Sequence, residues 1–87
     1  MKHELFSHVI LTQDLPEAGL CRGDLATVVE QYPGAPGQEP GYELEVFNAV
    51  GDTVAVVSVR ESQVEAPRQN ERLCVRQAAA IAESPGD

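Results

Sequence analysis

Few residues in this 87-residue chain have the types and spacing that chemistry requires. His3 and His8 are the only histidines. Neither stands at a spacing from a Ser or Cys that implies a nucleophile–base pair, and a triad is defined by geometry rather than by order. Asp14, Glu17 and Asp24 gather around one loop, where oxygen ligands would suit a hard cation. Their spacing does not match an EF-hand loop, and Asp at turns accepts backbone N–H bonds. The turn role is therefore expected, with no metal and no cofactor. Glu43 and Glu45 alternate on one strand face, with Glu30 expected on a neighbouring strand. Two carboxylates about 5–10 Å apart are the apparatus of a glycosidase, but a domain this small offers no cleft. The expected role of Glu30, Glu43 and Glu45 is a solvated face or a docking surface for Lys and Arg.

Cys21 and Cys74 form no CxxC pair and have no His beside them. A zinc site needs three or four ligands in suitable geometry. The expectation is two buried, reduced thiols acting as small hydrophobes. The glycines of residues 34–41 lack the Lys-Ser/Thr and the following helix of a phosphate loop.

These residues need elements to position them. A chain of this length makes one domain and buries roughly 60% of the surface its unfolded form exposes. Ser7 to Thr12, around Val9-Ile10-Leu11, reads as a first strand. Pro16 and Gly19 break the chain into a loop. The turn Gly19-Leu20-Cys21-Arg22-Gly23-Asp24 then feeds a second strand, Leu25 to Tyr32. Its two faces are expected to be Leu25, Thr27, Val29 and Gln31 against Ala26, Val28, Glu30 and Tyr32. Three prolines and three glycines over residues 33–41 make a long, flexible hairpin connection. Tyr42 to Phe47 is the clearest amphipathic strand, with Tyr42, Leu44 and Val46 opposite Glu43, Glu45 and Phe47. A turn over residues 48–52 leads to Thr53 to Arg60, dense in Val and expected to be central. Glu61 to Val64 reads as a 3₁₀ turn or a last edge strand. Asn70 is placed to cap a helix from Glu71 to about Glu83, rich in good helix formers. The apolar Leu73, Val75 and Ile81 would contact either a partner or the chain's own barrel.

The fold class is mainly β: a small SH3-like barrel of about five strands over residues 5–67. Residues 68–87 form a C-terminal helix or flexible tail.

The net charge is −8. From Glu30 to Glu65 there are seven acids against one base, Arg60. Binding to nucleic acid or to an anionic membrane needs the opposite balance. The stretch Met1 to Phe6 has no apolar run of a signal peptide, and no segment has the length of a membrane span. A cytoplasmic protein with a protein partner is expected.

The run Val9-Ile10-Leu11, Asp14-Leu15-Pro16-Glu17, Gly19-Leu20, Gly23-Asp24 and Thr27-Val28-Val29 resembles a bacterial family of small proteins known only as a domain of unknown function. Tyr42-Glu43-Leu44-Glu45-Val46, Thr53-Val54-Ala55-Val56-Val57 and Val64 fit the same pattern, so the resemblance spans Leu5 to Pro67. The glycine-aspartate-strand element is also similar to KOW-type and other SH3-like barrels. These occur in ribosomal and transcription proteins, in a photosystem I subunit and in nitrile hydratase β-subunits. That pattern commonly has a second glycine where this chain has Ala26. The nucleic-acid role of KOW domains does not transfer, because the basic residues are missing. The acidic strand face and the apolar tail point to a non-catalytic protein–protein interaction module. One version is antitoxin-like, since some family members are grouped with partners of small toxins. The alternative is an accessory or scaffolding subunit of an enzyme complex. Self-association stays open.

Overall fold

The computed structural model describes residues 1–78. Five strands, β1 (His8–Leu11), β2 (Leu25–Tyr32), β3 (Gly41–Phe47), β4 (Thr53–Arg60) and β5 (Val64–Glu65), form one antiparallel sheet. The order across the sheet is β4-β3-β2-β1-β5, so the first strand pairs with the last and the sheet makes a small barrel-like β domain. Two 3₁₀ turns complete it, Pro16–Ala18 in the β1–β2 loop and Glu61–Gln63 between β4 and β5.

The core follows from alternation. On β3, Tyr42, Leu44 and Val46 are buried, and Glu43 and Glu45 between them are not. Val9 and Leu11 of β1, Ala26 and Val28 of β2, Val59 of β4 and Val64 of β5 meet them, with Leu20 closing one end. Ala26 is buried in a regular strand and is not among the residues with positive φ, so the position calls for a small side chain rather than a left-handed backbone. Gly19 does need its freedom. It ends the first 3₁₀ turn at φ 73°, where a side chain would be strained.

The aspartates of the first loop act in its turns. Asp14 Oδ1 accepts the Arg22 backbone N–H at 2.8 Å, and Asp24 Oδ2 accepts that of Cys21 at 2.9 Å. The β2–β3 connection is pinned at its far end. Glu39 accepts both the backbone N–H (2.9 Å) and the hydroxyl (3.1 Å) of Ser62, and lies 3.5 Å from Arg60.

Several expectations are corrected. β4 is an edge strand, not a central one. Ala55, Val57 and Val59 turn inward, but Val54 and Val56 are 56% and 54% exposed. A run of valines there fills one face of the sheet and leaves the other without cover. The helix expected from Glu71 does not form over residues 71–78, which carry no secondary structure. A lone helix is marginal without a surface to pack on, and these residues are exposed. The remainder of that expected helix, with Ile81, lies outside the described residues. Both cysteines are exposed rather than buried. Cys21 sits in the turn between Gly19 and Gly23, and Cys74 in the tail, so neither belongs to an element with an inward face.

Candidate functional site

The outer face of the sheet gathers the carboxylates. Residues directly opposite each other on neighbouring strands share a face. Glu30 of β2 opposes Glu43 of β3, and Thr27 opposes Glu45. A bulge between Val28 and Glu30 makes this possible. It interrupts the simple alternation expected of β2, so that Val28 stays inside while Glu30 and Tyr32 face out. In a regular ladder Val29 would oppose Glu43, and Glu30 would be carried inward against Tyr42. Gln31 takes that place instead, and its amide donates to the His3 carbonyl at 2.8 Å.

Like charges directly opposite each other repel. Neighbouring hydroxyls absorb part of that cost. Glu43 Oε1 accepts from Ser58 Oγ at 2.6 Å and from the Tyr32 hydroxyl at 3.3 Å. Glu45 Oε2 accepts from Thr53 Oγ1 at 3.1 Å. Partial desolvation, with the Glu43 carboxylate adding to it, holds the Tyr32 phenol above its ordinary range. Tyr32 and Phe47 flank the acids as half-exposed aromatics. Glu30, Glu43 and Glu45 are therefore brought together on one face.

Leu73 and Val75 are not brought to it. They are 82% and 86% exposed and do not pack against the barrel. The tail touches the barrel at Arg76, whose Nη2 lies 2.8 Å from Asp24 Oδ2.

A second constellation escaped sequence reasoning. The chain before β1 straps across one end of the sheet. His3 is only 6% exposed and meets the Tyr42 ring edge-on at 5.3 Å. The Tyr42 hydroxyl accepts the His3 backbone N–H at 3.1 Å and donates to Glu61 Oε2 at 2.5 Å. Burial pushes the His3 imidazole below its ordinary value of 6.5. The Tyr42 hydrogen bond holds the Glu61 carboxyl below 4.5. Burial raises the Tyr42 phenol. His3 Nε2 is buried without a hydrogen-bond partner. The only sequence signal was Tyr42 itself, a hydroxyl on an otherwise apolar inward face that had to find a partner. No spacing rule connects it to residue 3.

His8 opens β1 and is exposed. Among the described residues, no group of three or more His, Cys, Asp or Glu side chains converges as a cation site would require. No described helix is long and apolar enough to cross a membrane.

No curated protein and no solved structure matches the chain. A family pattern does, over residues 5–66, which takes in all five strands and stops where the irregular tail begins. The chain belongs to the family described as "Domain of unknown function (DUF4926)".

Proposed function

We propose that this chain is a non-catalytic protein–protein interaction module, cytoplasmic, built on an SH3-like barrel, whose outer sheet face takes a basic protein partner. The observation that carries the reading is the convergence of Glu30, Glu43 and Glu45 on one face, bordered by Tyr32 and Phe47. The sheet order, with a 3₁₀ turn between β4 and β5, supports the SH3-like assignment. An acidic face steers a Lys- or Arg-bearing partner into encounter, and half-exposed aromatics beside it supply apolar contact once docked. Neutralising a small basic toxin is one concrete form of this role. The exposed Leu73 and Val75 favour a second reading, an accessory subunit anchored to an enzyme complex through its tail.

Affinity capture from native lysate tests both. The baits are the full chain, the chain ended after Arg68, and the variant Glu30→Lys/Glu43→Lys/Glu45→Lys. A partner lost with the charge-reversed bait and kept by the truncation supports the acidic face. A partner lost only with the truncation supports the tail. For a captured partner, the association rate with the wild-type chain should fall on the order of tenfold as salt rises from low to physiological. A salt-independent rate together with full capture by the charge-reversed bait overturns the acidic-face reading.

A further inference from the structure

We propose that the chain before β1 is an acid-released latch: residues 1–7 lie across the end of the sheet while the His3 imidazole is neutral, and its protonation frees them with the sheet intact. The inference goes beyond the partner-binding role of the acidic face and does not depend on it.

The segment is held by one side chain. Of residues 1–7 only His3 is buried; Met1, Lys2, Glu4, Leu5 and Phe6 are exposed and Ser7 is half-buried. The apolar core begins at Val9 and contains no residue of the segment. Undocking therefore withdraws a single side chain from the interior. A unit with so little buried contact opens at lower free energy than the sheet it lies on.

The remaining ties of the segment are hydrogen bonds. The His3 N–H donates to the Tyr42 hydroxyl at 3.1 Å, and the His3 carbonyl accepts from the Gln31 amide at 2.8 Å. The Lys2 N–H donates to Glu61 Oε2 at 3.3 Å. Further along, the Phe6 N–H donates to the Val28 carbonyl at 2.6 Å, and the Ser7 carbonyl accepts from the Val28 N–H at 2.9 Å. Water replaces each of these partners on release, so their net hold is small. Phe6 itself opposes docking. Its backbone sits at φ 66°, the left-handed region that a bulky side chain disfavours. Its ring is 73% exposed, so little packing offsets that strain.

The imidazole is the group that switches. The titratable groups around it are Lys2 on the segment, Tyr42 on β3 and Glu61 on the second 3₁₀ turn, while β2 contributes the uncharged Gln31. Burial acts most strongly against the charged ring, ahead of the attraction of Glu61, and Lys2 adds to the opposition. Glu61 is also engaged elsewhere, since its Oε2 accepts from the Tyr42 hydroxyl at 2.5 Å and from Lys2. Protonation makes both ring nitrogens donors. Nε2 is then a buried N–H with no acceptor among the described residues. Once the segment undocks, water solvates the same imidazolium. Protons therefore favour the released state.

Amide hydrogen exchange read residue by residue by NMR on the full chain tests the latch, with each protection factor referred to the free exchange rate at the same pH. Between pH 7.5 and 5 the protection of the Phe6 and Val28 amides should fall roughly three- to thirtyfold. The upper figure is the limit for a group of ordinary value 6.5 taken about 1.5 pH units below it. Amides of the β3–β4 ladder should keep their protection, and the His3 ring protons should shift over the same interval. Glu61 stays ionised throughout, because the Tyr42 hydrogen bond holds its carboxyl below 4.5. His3→Phe keeps a ring against Tyr42 and takes no proton, so its Phe6 and Val28 protection should not change with pH. His3→Ala removes the anchor and should leave both amides weakly protected at either pH, with the circular dichroism of the wild type. Protection that does not change in the wild type overturns the proposal. An equal loss across the β3–β4 ladder overturns it too, since the segment then opens only with the sheet. The same fall in His3→Phe, or wild-type protection in His3→Ala, overturns His3 as the catch.

Discussion

At the residue scale, the most constrained titratable group is His3, not one of the surface carboxylates. It is buried as the neutral imidazole, with its pKa held below 6.5 by burial. The unfolded chain therefore binds a proton that the folded chain resists. Stability is fully present above pH 6.5 and falls as pH drops from there toward the lower folded value. Glu61 acts in the same direction at lower pH, since its folded pKa lies below 4.5. Thermal midpoints measured from pH 8 to pH 5 should decline, with the decline beginning near pH 6.5. His3→Phe, which keeps a ring against Tyr42, should flatten this part of the curve. A flat wild-type profile between pH 7 and 5 would show that the imidazole takes up its proton as readily in the fold as in the unfolded chain. None of this was legible locally. Asp14 and Asp24 are legible as turn acceptors, because the partners a turn supplies are local, here within eight residues. The partner of Tyr42 lies 39 residues away, and no local pattern encodes that distance.

At the scale of the element, β4 shows where pattern reading succeeds and stops. Its bounds and its two faces were legible, because both depend on the period of two within the strand. Its place at the edge was not, because that depends on which strands find partners. β2 adds the other limit. Its bulge changes the face of every residue after Val28, and no residue type there announces it. The two faces of β4 should respond differently to truncation. Val59 is buried, and Val59→Ala should cost about 2 kcal/mol. Val56→Ala removes an exposed side chain and should stay within about 0.5 kcal/mol. Urea midpoints check both. Equal losses would mean that the outer face of β4 is covered within the monomer. Over residues 71–78 the expected tail helix does not form, for a related reason. Propensity favoured it, but Leu73 and Val75 found no surface to bury against, and propensity alone does not hold a short helix in water.

At the scale of the whole molecule, the net charge of −8 adds to the pull of the acidic face on a basic partner. A basic partner meeting the Glu30, Glu43 and Glu45 face is attracted over long range, so salt screens an attraction and slows encounter. Association with a basic partner should therefore weaken between about 10 and 100 mM salt, and association kinetics on one preparation read the trend. If association instead tightened with salt, the partner would be docking through apolar surface, which points to Leu73 and Val75 rather than to the acidic face.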